Sequence, residues 1–226
     1  MPALALPGYA ELHAISNFSF LRGASHPEEL VLRAAQLDYA AIAVTDECSL
    51  AGVVRAHTAA REYGLPLIIG SELRVEDDLR LVLLATDRAA YGRLAQLITR
   101  GRRAADKGSY RLMLADLDTD LEGCLALWLP GEPGDLGVES GSELARARWV
   151  AERFPSRAWL AVERLCGRDD RLRLTRLQRL GERAGLTLTA AGDVHMHSRS
   201  RRALQDTLCA IRLGCTVAGA GMSRNP

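Results

Sequence analysis

The chain has 226 residues and a formal net charge of +1 at pH 7, with 48% hydrophobic and 25% charged residues. This length suffices for one substantial core, and the balanced charge neither favours nor excludes a polyanionic partner. Five scattered cysteines argue against a disulfide framework or a zinc ribbon, and no apolar run approaches the ~20 residues of a membrane span, so we expect a soluble cytoplasmic protein without a membrane partner.

Short apolar runs alternate with amphipathic segments along the whole chain. Ser25-His26-Pro27-Glu28 has the form of a capping box with proline in the first turn, Gly64 is positioned to stop a helix, and Asp87 is positioned to cap one. The predicted strands are 9–16, 40–44, 67–73, 79–85, 124–129, 159–163 and 186–190. The predicted helices are 25–37, 50–63, one after Asp87, 142–153, 169–184 and one beginning near Arg201.

This repeated strand-then-helix order predicts an α/β fold in which helices cover a mostly parallel sheet, closed or nearly closed as a barrel. The segment 130–141, rich in glycine and proline, is expected to be an exposed loop. Residues 218–226 contain no packing pattern, and we expect them to form an unstructured, truncated C-terminus.

Several residues of metal-ligand type stand at or just after the ends of predicted strands. In a barrel of parallel strands, such side chains project into one mouth. Oxygen and imidazole groups that converge there could bind Zn²⁺, Mn²⁺ or iron and activate water against a phosphoester. These residues are His13, Asp46, Glu47, Glu72, Glu163, Asp193 and His195.

Short sequence motifs around these residues, in this order along the chain, resemble those of a known family. They are Glu-Leu-His13-Ala-Ile-Ser-Asn-Phe-Ser, Val-Thr-Asp46-Glu-Cys-Ser-Leu-Ala-Gly, Gly-Ser-Glu72-Leu, Leu-Val-Leu-Leu-Ala with Tyr91-Gly-Arg-Leu, and Gly-Asp193-Val-His195-Met-His. The chain resembles the PHP (polymerase and histidinol phosphatase) domain that opens bacterial C-family DNA polymerases. The words Ser-Asn-Phe-Ser-Phe-Leu-Arg-Gly-Ala-Ser-His-Pro-Glu-Glu-Leu and Ser-Arg-Arg-Ala-Leu-Gln-Asp-Thr-Leu resemble its error-prone, damage-associated branch.

The resemblance implies a distorted (β/α)7 barrel of PHP type, here spanning residues 1–217, whose intact versions hold two or three metals. It implies that the parent protein is an error-prone DNA polymerase acting in damage-induced mutagenesis and translesion synthesis. The resemblance places the polymerase aspartates and their Mg²⁺ in a palm domain, and we expect the palm, fingers and thumb to lie outside these 226 residues. The implied partners are the rest of the polymerase chain, DNA through the full-length protein, and other mutagenesis or replisome subunits.

This sequence departs from the metal-binding pattern that the resemblance implies. Ile15 stands where the first motif has its second histidine, Glu47 where a histidine follows Thr-Asp, and Arg80 where another histidine is expected. Near Glu163, where a further histidine is expected, stand Leu165 and Cys166. Isoleucine offers no lone pair, and the permanent charge of arginine would repel a nearby dication.

We therefore expect a degenerate metal site, with no catalytic residue and no catalytic metal in this chain. Arg80 is the expected cation that neutralises the remaining acidic groups, because buried carboxylates without a counter-charge are costly. The alternative is one residual Zn or Mn ion, held by His13, Glu72, Asp193 and His195. The predicted remnant of the site consists of His13, Asp46, Glu47, Glu72, Asp193 and His195.

Two other functions stay open at the level of sequence. A working metal site would make the chain a metal-dependent phosphoesterase or a proofreading 3′–5′ exonuclease. A free-standing PHP-like binding module is the third alternative. The three altered positions disfavour the enzyme, and the C-terminal segment without a packing pattern leads us to expect a fragment of a polymerase and not a free-standing module.

Overall fold

A computed structural model describes residues 8–131, 141–164, 167 and 169–221, and all structural statements concern these residues. It consists of seven strands that lie side by side in chain order, with six α-helices between and after them. The strands are β1 (Ala10–Ala14), β2 (Ala41–Val44), β3 (Leu67–Val75), β4 (Leu79–Ala85), β5 (Cys124–Trp128), β6 (Ala158–Glu163) and β7 (Thr187–Ala191). The helices are α1 (Pro27–Gln36), α2 (Val53–Tyr63), α3 (Arg88–Arg103), α4 (Gly141–Arg153), α5 (Asp170–Ala184) and α6 (Arg202–Leu213).

The sheet is parallel except at β4, which runs antiparallel to both β3 and β5. Only the short turn Glu76–Asp78 joins β3 to β4, and a connection of this length cannot cross over to make a parallel pair. Beyond β7, Val194 bridges to Ala14 at the end of β1, and the Ile15 amide donates to the Val194 carbonyl at 2.9 Å. The sheet therefore nearly closes, which confirms the predicted barrel.

The helix boundaries follow the predicted signals, with one shift. The Ala90 amide donates to the Asp87 carboxylate at 2.8 Å, so Asp87 caps α3 as predicted. Gly64 ends α2 in the left-handed region, with φ 65°, as predicted. The predicted capping box was wrong by one residue: His26 is the N-cap of α1, and its amide donates to the Glu29 carboxylate at 2.8 Å.

Buried side chains fill both sides of the sheet. The largest cluster packs α3, α4 and α5 against the middle strands and includes Leu83, Leu94 and Leu177. A second cluster lies under α1 and α2. A third joins β2, β4, β5, β6 and β7 through small and branched residues such as Ala43, Val82 and Ala161. This packing fixes the strand ends that carry the candidate site.

No helix within these described ranges is both long and apolar enough to cross a membrane. Most of the predicted 130–141 loop, the residues Leu165 and Cys166, and positions 222–226 lie outside the described residues.

Candidate functional site

His13 is the centre of a cluster at the end of β1, and its side chain is fully buried. Its Nδ1 lies 2.9 Å from Glu163 Oε1, at the end of β6, and its Nε2 lies 3.2 Å from Glu72 Oε2 in β3. Asp193 Oδ1, after β7, lies 3.6 Å from the same Nδ1. Three distant strands thus bring three carboxylates to one imidazole.

The surroundings of His13 favour its charged form. Burial alone would lower the pKa of His13, but the hydrogen bonds with Glu163 and Glu72 and the negative charge of Asp193 outweigh it and raise this pKa to about 10. At neutral pH the ring is then an imidazolium that donates from both nitrogens. His13 therefore supplies positive charge to a buried acidic cluster.

Arg22 supplies a second buried cation, from the loop between β1 and α1. Its Nη1 donates to Glu47 Oε2 at 2.6 Å and its Nη2 donates to Glu72 Oε2 at 2.9 Å, with 9% of the side chain exposed. Burial opposes the charge on Glu72, but His13 and Arg22 outweigh it and hold the pKa of Glu72 well below its usual range. A guanidinium thus bridges two carboxylates that could otherwise face a metal.

Two further arginines stand around the same carboxylates at longer distances. Arg80 Nη2 lies 3.5 Å from Glu72 Oε1. Arg74 Nε lies 3.4 Å from Glu47 Oε1 and 3.7 Å from Glu72 Oε1, with nearly half of its side chain exposed. Arg22, which sequence reasoning did not identify, makes the shorter contacts to these carboxylates, and the neutralising role of Arg80 stays a prediction.

Asp46 is separated from this network by its own hydrogen bonds. The Ser16 amide donates to Asp46 Oδ1 at 2.8 Å, and the Ser19 hydroxyl donates to the same oxygen at 2.7 Å. Ser19 Oγ also accepts from the Glu47 amide at 2.9 Å. Asp46 therefore holds the loop that carries Arg22, instead of facing the cluster of His13.

Asp193 is oriented by a chain of hydrogen bonds that ends on α6. Asp193 Oδ1 lies 2.8 Å from His195 Nε2, and His195 Nδ1 lies 3.3 Å from the Gln205 amide nitrogen. That nitrogen also donates to the Arg22 carbonyl at 2.7 Å. With the amide as donor, His195 accepts at Nδ1 and donates at Nε2, so it positions Asp193.

His197 turns away from the cluster: its Nδ1 lies 2.8 Å from Ser25 Oγ. Its partner Ser25 was assigned to the predicted capping box, and it bonds His197 instead.

The described residues fit one metal ion, not a multinuclear centre. One ligand atom each from His13, Glu163 and Asp193 lies within 4.8 Å of the other two. A nitrogen and two carboxylate oxygens suit Zn²⁺ or Mn²⁺. Elsewhere in the mouth, Arg22 occupies the space between Glu47 and Glu72, and the fully buried Ile15 offers no donor atom.

The family assignment follows from comparison with known proteins. The sequence profile of the family described as "PHP domain" matches residues 11–165, more than half of the chain. The chain belongs to the PHP domain family. The resemblance in its sequence words is thereby confirmed.

Error-prone DNA polymerases are among the curated relatives of this PHP domain. It is 60% identical over 220 residues to that of Aromatoleum aromaticum, 58% identical over 219 residues to that of Methylococcus capsulatus, and 54% identical over 216 residues to that of Pseudomonas aeruginosa. Each match covers 96% of this chain and 20% of the relative. The chain thus spans about a fifth of the length of these relatives.

Solved structures share the fold at low sequence identity. A protein assigned as a metal-dependent phosphoesterase from Bifidobacterium adolescentis has a TM-score of 0.61 and 16% identity, covering 84% of this chain and 88% of its own. An amidohydrolase from Chromobacterium violaceum, with bound sulfate and no metal, has a TM-score of 0.54 and 17% identity, covering 83% and 87%. These matches support the PHP-type barrel.

The mouth of this PHP domain unites most of the residues predicted from sequence. Hydrogen bonds and ion pairs join four of them: His13, Glu72, Asp193 and His195. Arg22 and Arg74 link Glu47 to Glu72, and Arg80 contacts Glu72. Asp46 makes its hydrogen bonds outside this network. Sequence reasoning assigned no role to Arg22 or Gln205. Arg22 lies in a sequence word typical of the error-prone branch, and that word was the available signal.

Proposed function

We propose that this chain is the PHP domain of an error-prone DNA polymerase that acts in damage tolerance in the cytoplasm. The observation that carries the proposal is the 60% identity that extends over 220 residues of the Aromatoleum aromaticum polymerase. The partners are then the rest of the polymerase chain, DNA through the full-length protein, and other mutagenesis or replisome subunits. Synthesis itself would use Mg²⁺ held by aspartates of the polymerase portion.

Within that polymerase, we propose that the domain acts as a scaffold without a catalytic metal. The contacts of Arg22 support the scaffold role, because its guanidinium contacts both Glu47 and Glu72. Arg80 and Arg74 add positive charge beside the other carboxylate oxygen of Glu72. Glu72 is fully buried, so these cations stabilise a carboxylate that would otherwise be costly. The hydrolysis of phosphoesters is not part of this proposal.

A domain exchange tests the polymerase assignment. The 220 matched residues of the Aromatoleum aromaticum polymerase are replaced by the corresponding residues of this chain, and primer extension is measured on undamaged and lesion-containing templates. We expect the chimera to keep extension rates within about threefold of the parent. In the control, the same residues of the polymerase are replaced by a segment of equal length from the Bifidobacterium adolescentis protein, which shares the fold at 16% identity. This replacement should abolish synthesis.

The contrary results are distinct for the two parts of the proposal. A well-expressed chimera that extends no primer would contradict the polymerase assignment. A purified chain that hydrolyses phosphodiesters in the presence of Mn²⁺, and loses this activity in His13→Gln, would contradict the scaffold assignment.

A further inference from the structure

Helix α6 turns an apolar stripe away from the domain. Leu204, Leu208 and Ile211 follow one another at spacings of four and three residues, so they share one helix face. Leu204 is 41% exposed and Ile211 is 58% exposed, while Leu208 is half-buried. We call these three residues the α6 stripe. A stripe of this spacing normally faces a core, so its exposure points to a missing partner.

The opposite face of α6 anchors the helix on the barrel mouth. Gln205 and Cys209 are buried there, with 3% and 2% of their surface exposed. The Gln205 amide donates to the Arg22 carbonyl at 2.7 Å and lies 3.3 Å from His195 Nδ1. The polar side of α6 is therefore fixed by hydrogen bonds, and the apolar side remains outward.

The extent of the sequence matches favours one partner for the α6 stripe. The PHP family profile ends at residue 165, before α6 begins. The identity to the error-prone polymerases instead covers 96% of the chain and includes α6. In those relatives about four fifths of the polypeptide lies outside the match, since the match covers 20% of it. The stripe thus belongs to a segment shared with long polymerases.

We propose that the α6 stripe is the surface on which the polymerase portion of an error-prone DNA polymerase docks, through an apolar helix face or groove of its own. The proposal rests on the proposed function above. Because Gln205 joins the same helix to Arg22 and His195, the docked partner would also hold the barrel mouth in place. The three apolar side chains become buried on docking, which gives a hydrophobic contribution.

Hydrogen exchange in the domain-exchange chimera tests this docking surface. Amide exchange across α6 is followed by mass spectrometry in the isolated 226-residue chain and in the full-length chimera. We expect at least tenfold slower exchange of α6 in the chimera, because docking suppresses local opening of the helix. Ile211→Glu should bring the rate in the chimera back to within about twofold of the isolated chain. Val54→Glu, which also places an acidic residue at an exposed apolar position but on α2, is the matched control. It should leave the exchange of α6 in the chimera slow.

Further measurements separate the outcomes. Ile211→Glu should leave the melting temperature of the isolated chain unchanged, which distinguishes lost docking from a folding defect. Ile211→Ala should give α6 of the chimera an exchange rate between those of the unchanged chimera and Ile211→Glu. An active chimera with equally fast exchange of α6 would overturn the docking proposal and leave the proposed function standing. A chimera without polymerase activity would overturn both. A dimeric isolated chain that Ile211→Glu makes monomeric would assign the stripe to self-association and overturn the proposal.

Discussion

Arg22 is the residue on which the charge balance of the barrel mouth depends. It makes the two shortest arginine contacts to Glu47 and Glu72, while Arg80 reaches Glu72 only at 3.5 Å. Its loop is held by the hydrogen bonds of Ser16 and Ser19 with Asp46. An arginine in this place and a metal bound to the same carboxylates exclude each other by charge.

Replacement of the two arginines should have unequal effects. Arg22→Gln leaves a buried carboxylate with less counter-charge, and we expect a loss of about 3–5 kcal/mol in the free energy of unfolding. Arg80→Gln, with one long contact, should cost about 1 kcal/mol or less. Denaturant unfolding of both variants measures this. An Arg80→Gln variant that is less stable than Arg22→Gln would return the main neutralising role to Arg80.

At the scale of elements, the loop between β1 and α1 determines where Arg22 lies. Gly23 packs directly on the end of β1, so that a Cβ at this position would collide with the Ser16 carbonyl and lie 2.9 Å from the Ile15 carbonyl. The loop cannot move outward without breaking the contacts of Ser19 and Arg22. A close approach of two backbone segments therefore places the guanidinium.

A pair of glycine substitutions tests this loop. Gly23→Ala should destabilise the protein by several kcal/mol, on the order of the cost of a strained or overpacked core position. Gly92→Ala is the matched control: apart from the adjoining residues and backbone of α3 itself, no atom lies within 4 Å of its added Cβ, and alanine inside α3 should stabilise by up to about 1 kcal/mol. Thermal unfolding measures both. Equal melting temperatures for the two variants would contradict the close packing of the loop.

The elements themselves were largely predictable, because local signals specify them. Asp87 and Gly64 mark helix ends by cap chemistry, and the apolar runs mark the strands. The antiparallel β4 was not predicted, because the prediction of a mostly parallel sheet followed the repeated strand-then-helix order. The five residues between the predicted strands 67–73 and 79–85 are too few for a parallel crossover, so the sequence did contain the signal. The exposed α6 stripe could not be read from its spacing, which is identical for a helix that faces a core.

At the scale of the whole molecule, the candidate site is an assembly of distant segments. The resemblance identified His13, Glu72, Asp193 and His195 by their sequence words, but the pairing of His13 with Glu163 joins residues 150 positions apart in the chain. Likewise, the contact of Gln205 with the Arg22 carbonyl depends on how α6 packs. Tertiary packing, not local pattern, decides which charges meet.

The coupled charges should give the folded state a characteristic pH dependence. The pKa of His13 is raised from 6.5 to about 10, so its stabilising contribution is complete below pH 6.5 and is lost as the pH rises toward 10. The pKa of Glu72 is lowered below 4.5, so its contribution is present above pH 4.5 and is lost as the pH falls.

We therefore expect the free energy of unfolding to fall by about 1 kcal/mol per pH unit between about pH 7.5 and 8.5 because of His13. Denaturant unfolding across this range, compared with His13→Gln, measures the contribution. The variant should lack the slope. Parallel curves for the two proteins would show that His13 is uncharged in the folded state.

The most direct test of the scaffold account is the metal content of the chain. The protein is purified without chelator, equilibrated with Zn²⁺ or Mn²⁺, passed through a desalting column and analysed by elemental mass spectrometry. Because Arg22 and the imidazolium of His13 supply the positive charge, the account predicts much less than one metal ion per chain, with little change in Glu163→Gln. One or more ions per chain, lost in Glu163→Gln and Asp193→Asn, would contradict it.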